Sequence, residues 1–132
     1  MRAPLLACAV GLLGSLAVLG TSAVKAEDTN AVQRGNIKFQ RTCAPCHGAG
    51  PGSDGRAALP GTVALQLKYK GALPALLEAR TDLTPDVLKT YVRRGSWSMP
   101  PFRKTELTDA EIRDIAAYLA TTPKAAAKTS QP

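Results

Sequence analysis

Residues 107–123 read LTDAEIRDIAAYLATTP, and their apolar positions recur at a helical interval, with Ile112, Ile115, Ala116 and Leu119 at i, i+3, i+4 and i+7. Side chains so spaced share one face of a 3.6-residue helix, which predicts an amphipathic helix packed on a core. Thr108 and Glu111 have the spacing of a capping box, and Leu107 stands where it can staple onto Ile112. Pro123 is expected to stop the helix, because proline lacks an N–H and crowds the preceding turn.

A second helix is predicted in TPDVLKTYVRRG. Thr84 serves as N-cap, Pro85 takes the first helical position, Asp86 lies in the first turn, and Arg93, Arg94 and Gly95 close it. An earlier helix is expected in NAVQRGNIKFQRTC, with Asn30 as N-cap and Val32, Gly35 and Phe39 on one side, delivering Cys43 at its end. Shorter helical segments are expected near 64–69 and 74–79. Between them and the first helix lies GAGPGSDGRAALPGT, whose five glycines and two prolines argue against regular structure. With no convincing strand, the pattern predicts an all-α domain.

After Met1 come the basic Arg2, then the apolar run APLLACAVGLLGSLAVLG, then polar and small residues ending in VKA. That order is expected of a secretory signal peptide spanning 1–26, cleaved after Ala26. An uncleaved anchor is the alternative, although Gly and Ser weaken the run as a membrane span; a lipoprotein reading through Cys8 fits less well, since the run continues past the cysteine. The expected domain is then 27–121, followed by a flexible tail over 122–132, and an exported chain of this kind is expected in the periplasm.

Removing 1–26 takes away two of the 17 basic residues and none of the 10 acidic ones, leaving a net charge near +5. Such a balance suits an acidic partner or an anionic surface, but no dense Lys/Arg tract marks a nucleic-acid footprint. One Trp, three Tyr and two Phe give a core little to build on. Small domains of that kind often depend on a staple such as a metal, a disulfide or a cofactor.

The candidate staple is RTCAPCHGAG, where Cys43 and Cys46 stand three positions apart and His47, the sole histidine, follows directly. A zinc site normally takes four Cys or His ligands, and adjacent residues such as Cys46 and His47 rarely share one tetrahedral ion. A thioredoxin-like dithiol belongs at the start of a helix that follows a strand, whereas this pair follows a helix. A disulfide across two intervening residues would be strained and would leave His47 without a role. Covalent haem attachment by C-x-x-C-H uses every residue of the run: two thiols to add to the vinyl groups and a histidine for the iron.

A haem of that kind, used for electron transfer, needs a second axial ligand. After 1–26 are removed, the remaining methionine is Met99, in GSWSMPPF. Pro100 and Pro101 stiffen the loop around it, so Met99 is the candidate sixth ligand, against the alternative of a gap-filling core residue. His/Met ligation raises the reduction potential and leaves no open position for a substrate.

CAPCH, a downstream Met-Pro on a loop and a C-terminal amphipathic helix together resemble the class I c-type cytochromes, over about residues 30–121. The resemblance implies a small cytochrome c fold of short helices around one covalent haem c. It also implies a close crossing of the first and last helices, where Gly35 and Phe39 would meet Tyr118. A proline carbonyl would hold the other ring nitrogen of His47, Pro60 being the first candidate and Pro51 the second. The chain departs from the mitochondrial pattern in that loop.

A narrower likeness, over LKYKGALPALLEARTDLTPDVLKTYVRRGSWSMPPFRKTELTDAEIRDIAAYLA, is similar to the cytochrome subunits of flavin-dependent 4-alkylphenol hydroxylases of the 4-cresol and eugenol type. It implies a flavoprotein as electron donor, no substrate chemistry of its own, and an acceptor such as a blue-copper protein, another cytochrome or an oxidase. Electrons would leave by a haem edge framed by Ala44, Pro45, Pro100, Pro101 and Phe102, with Arg93, Arg94, Arg103 and Lys104 steering an acidic partner. Trp97 is expected either to shield the haem or to pack in the core, and Tyr69 and Tyr91 to be core residues or neighbours of the haem carboxylates. Two other classes stand beside the carrier: a haem enzyme with an open coordination site, and an exported dithiol or disulfide module without cofactor.

Overall fold

The structure is a computed structural model that describes the backbone over 21–129 and side chains over 28–122. Residues 1–20, most of the expected signal peptide and Cys8 with it, lie outside the described residues. Helix α1 is Thr21–Thr42, α2 is Ala44–His47, α3 is Pro60–Tyr69, α4 is Pro85–Arg94 and α5 is Asp109–Thr129, with a 3-10 turn at Leu77–Ala79 between α3 and α4. No strand occurs among the described residues; an isolated bridge joins Ser96 and Met99. None of the described helices is long and apolar enough to cross a membrane.

Several boundaries differ from expectation. Asn30 is not an N-cap: α1 begins at Thr21 and runs through it, since residues 21–34 contain neither Gly nor Pro to interrupt a helix. The bond after Ala26 therefore lies within α1. Helix α3 starts at Pro60 rather than near 64, proline taking the first-turn position where its missing N–H costs nothing. The segment 74–79 supplies only the 3-10 turn.

Helix α5 does not stop at Pro123 but continues to Thr129, so the chain beyond 122 is helical that far. Pro123 cannot donate to the carbonyl of Leu119, one helical bond back. The hydroxyl of Thr122 donates to it instead at 2.9 Å, and also to the carbonyl of Glu78 at 2.6 Å. A side-chain donor thus replaces the lost backbone donor.

The other caps form as expected. Thr84 Oγ1 accepts the N–H of Val87 at 3.3 Å. In the capping box, Thr108 N–H donates to Glu111 Oε2 at 2.7 Å and Glu111 N–H donates to Thr108 Oγ1 at 3.2 Å. Leu107 and Ile112 are both fully buried in the core beyond that cap.

The core lies where α1 and α4 meet α5: Phe39, Leu83, Leu88, Val92, Leu107, Ile112, Ile115, Ala116 and Leu119. A Cβ at Gly35 would stand 1.9 Å from the carbonyl oxygen of Asp114, so the two helix backbones meet there with no room for a side chain. One turn on, fully buried Phe39 faces Tyr118 with ring centroids 5.5 Å apart at 47°, a tilted packing favoured by aromatic quadrupoles. Ion pairs Arg34–Asp114 at 2.7 Å and Lys38–Glu111 at 2.8 Å flank the crossing. The Tyr118 hydroxyl donates to Glu78, and burial followed by that carboxylate pushes its pKa up to about 12.

Candidate functional site

Helix α1 ends at Thr42, and the chain turns at once into α2. The Cys43 carbonyl accepts the N–H groups of Cys46 at 3.1 Å and His47 at 2.9 Å, placing Cys43, Cys46 and His47 around one turn of backbone. Both cysteines are free, Cys43 half-buried and Cys46 exposed. Burial, followed by the neighbouring Cys46, pushes the Cys43 thiol up to about 11, the opposite of the lowered pKa on which a redox dithiol depends.

His47 is half-buried, and burial lowers its pKa, which keeps the imidazole neutral with a lone pair for a metal. Its ring lies against Gly61: a Cβ there would stand 2.7 Å from Cε1, 2.8 Å from Nδ1 and 2.7 Å from the Cys46 carbonyl. Gly61 follows Pro60 in the first turn of α3, so α3 forms a wall for the imidazole that only glycine permits. Nδ1 is buried without a hydrogen-bond partner, and neither Pro60 nor Pro51 accepts from it. Thr62 reaches back to the Gly48 carbonyl at 3.4 Å and ties α3 to the end of α2.

The glycine-rich segment folds on itself: Gly52 N–H donates to the Arg56 carbonyl at 2.9 Å and Arg56 N–H to Asp54 Oδ1 at 3.2 Å.

Met99 is half-buried and packs against the core cluster. It closes a turn in which Ser96 N–H donates to the Met99 carbonyl at 3.0 Å and Met99 N–H to the Ser96 carbonyl at 2.9 Å. At Gly95, with φ +68°, a Cβ would stand 2.6 Å from the Met99 carbonyl oxygen and 3.0 Å from Pro101 N, so the loop doubles back on its own base. Phe102 N–H donates to the Val92 carbonyl at 2.8 Å and fixes the loop on α4.

Arg93 is not a free steering cation. Its guanidinium donates to the carbonyls of Phe102 at 3.0 Å and Leu107 at 2.7 Å and to Asp109 Oδ1 at 2.6 Å, and its side chain is only 18% exposed. It ties the far end of the Met99 loop to the start of α5. Asp109, bonded by Lys89 and then Arg93, is held down to about 2. Of the other expected docking residues, Arg94, Arg103, Lys104, Pro45, Pro100 and Pro101 are exposed, whereas Ala44 and Phe102 are half-buried against the core. Trp97 does not pack in the core: it is 99% exposed.

Sequence reasoning missed Arg80, which is 4% exposed, bonds Asp82 Oδ1 at 2.9 Å and lies 4.8 Å from the Tyr69 ring. Lys68 lies over both Tyr69 and Tyr91, at 5.3 and 5.1 Å, so the two tyrosines join a cationic cluster instead of the core. No periodicity in the sequence marks an arginine for burial; its signal is the local Arg-x-Asp pair.

These residues fit a covalently held haem. Two free thiols stand in one turn, a neutral imidazole is wedged against a glycine, and a thioether is offered from a separate loop. A small helical domain with such a site is of the c-type cytochrome class. A family model described as cytochrome c oxidase, cbb3-type, subunit III matches residues 30–119, and the chain belongs to that family of cytochrome c domains. No curated protein matches it. The protein is thus an all-α cytochrome c domain with covalently bound haem c, built for electron transfer.

Proposed function

We propose that Cys43 and Cys46 hold the haem by thioethers, that His47 and Met99 are its axial ligands, and that the protein relays single electrons in the periplasm from a flavin-dependent alkylphenol dehydrogenase or hydroxylase. The observation that carries the ligand assignment is the His47 ring seated against Gly61 in the same turn as both free thiols. The haem iron supplies the redox chemistry, one electron accepted and one given up. The chain's part is to keep the geometry of both oxidation states alike: α2 and α3 fix the imidazole, Arg93 and the Phe102–Val92 bond fix the methionine loop, and the core excludes water. Tyr69, Tyr91, Lys68 and Arg80 form a cationic and phenolic cluster suited to the haem carboxylates.

The flavoprotein donor rests on the likeness of 67–120 to cytochrome subunits of alkylphenol hydroxylases. A second reading is a free periplasmic carrier that passes electrons to a terminal oxidase; the family match, whose description is of an oxidase subunit, supports the oxidase as acceptor. With the sole histidine assigned to the iron, a peroxidase-like enzyme lacks a second imidazole for acid–base work.

Optical spectra of the haem-loaded chain test the ligands. A sharp reduced α-band and a weak near-infrared sulfur-to-iron band lost in Met99→Ala are expected; a high-spin spectrum in the unaltered chain would remove Met99 as ligand. Stoichiometric co-purification with a flavoprotein separates the permanent subunit from the diffusible carrier.

A further inference from the structure

Residues 95–108, which carry Met99, join the end of α4 to the start of α5, and Asp109 is the residue at which that segment rejoins the helices. Its Oδ1 accepts from the Arg93 guanidinium at 2.6 Å, and its Oδ2 pairs with Lys89 Nζ at 2.8 Å. Lys89 and Arg93 stand one turn apart on α4, a spacing at which like charges repel, so a carboxylate between them removes a strain in α4 itself. The N-terminus of α5 also favours a negative charge at that position.

Arg93 has few other ways to be satisfied. Its side chain is largely buried and its Nε is buried without a hydrogen-bond partner, while its two terminal nitrogens serve the carbonyls of Phe102 and Leu107 and the Asp109 carboxylate. The carbonyls accept hydrogen bonds but carry no net charge. Asp109 thus supplies the neutralising charge, and a cation that loses such a partner becomes costly to keep buried. Arg93 then gains by turning to water, and its bonds to Phe102 and Leu107 break as it leaves. The neighbouring carboxylates are engaged elsewhere: Glu106 accepts the Arg103 N–H at 2.7 Å, and Glu111 serves Thr108 and Lys38.

We propose that Asp109 is a positioning residue for the methionine side of the site: acting through Arg93, it holds the Met99 loop on α4 and α5 and so keeps the thioether in place. Its effect on the iron rests on the reading of Met99 as axial ligand; its hold on the loop is read separately.

Hydrogen exchange and the near-infrared sulfur-to-iron band of the haem-loaded full chain test the two together. In Asp109→Asn the Phe102 amide, which donates to the Val92 carbonyl at 2.8 Å, should exchange about tenfold faster or more, with amides at the α1–α5 crossing unchanged. The near-infrared band of that variant should vanish at a lower denaturant concentration than its helix content. Lys89→Gln should leave both signals near those of the wild type, because Lys89 pairs with Asp109 and not with the loop. The double variant Arg93→Gln, Asp109→Asn should be no looser than Arg93→Gln alone, since a carboxylate that acts through Arg93 then has nothing left to act on.

Wild-type exchange at Phe102 in Asp109→Asn would overturn the proposal. So would effects that add in the double variant, spread equally to the crossing amides, or appear as strongly in Lys89→Gln; each would make Asp109 an ordinary staple between α4 and α5. If the wild type lacks the near-infrared band, or Met99→Ala retains it, the axial assignment fails, while exchange at Phe102 still decides whether Asp109 holds the loop.

Discussion

Cys43, Cys46 and His47 stand around one turn of backbone at the end of α1, whereas Met99 closes a hairpin turn held to the helices by the Phe102–Val92 bond and the Arg93 guanidinium. The first half of the site inherits its rigidity from the α1–α5 crossing, where Gly35 and Phe39 leave no slack. The second depends on a few polar bonds across a proline-rich loop whose apolar contacts, Met99 and Phe102 against the core, are only partly buried. The difference teaches that this protein can lose its methionine side while the histidine side stays in place, because the free energy of opening a loop is smaller than that of parting packed helices.

The largest effect is expected at the crossing itself. Gly35→Ala puts a Cβ 1.9 Å from the Asp114 carbonyl oxygen and must separate two backbones, costing about 3 kcal/mol or more. Denaturant unfolding of the haem-loaded protein measures it, and a loss of under about 1 kcal/mol would show that the crossing has slack.

Gly61→Ala should follow, at about 1 to 3 kcal/mol from overpacking the imidazole. It should also disturb the His47 side of the optical spectrum. An unchanged spectrum would mean that α3 is not the wall that seats the ring.

Arg93→Gln isolates the other half. Loss of charge-assisted bonds to Phe102, Leu107 and Asp109 should cost about 2 kcal/mol. The near-infrared sulfur band should weaken at a lower pH or denaturant concentration than global unfolding. Simultaneous loss of both signals would erase the contrast between the halves.

The smallest effect concerns the start of α5. Glu111, bonded by Lys38 and then by Thr108, has its pKa held down to about 2 from an ordinary 4.5. A depressed carboxylate stabilises the fold fully above the unfolded value and loses that contribution as pH falls from 4.5 through 2. Glu111→Gln should therefore lower stability at neutral pH by about 1 kcal/mol or less, given solvent screening, and match the unaltered protein near pH 2. A constant deficit across that range would assign the loss to the capping geometry.

Much of the fold can be read from local pattern. The i, i+3, i+4, i+7 stripe of α5, the Thr84 cap with Pro85, and the Thr108–Glu111 box all depend on residues within a turn of one another, and all form as expected. What local pattern misread depends on distant partners. Pro123 does not end α5, because the Thr122 hydroxyl serves the carbonyls of Leu119 and Glu78. Arg93 looks like one of several loop cations until Leu107 and Asp109 come beside it. Trp97 looks apolar yet takes no place in the core, since hydrophobicity states a preference for burial without saying whether the core offers a place.

The sequence by itself determined the N-caps of α4 and α5, the apolar stripe of α5 and, in CAPCH with one histidine, the class of chemistry, because each is a matter of spacing along a few bonds of chain. The tertiary structure alone decided that Gly61 walls the imidazole, that Arg93 ties the methionine loop to α5, and that Trp97 stays out of the core. Those outcomes are set by which residues from far along the chain meet when α1 and α5 cross and α3 and α4 fold against them. No local rule carries that information.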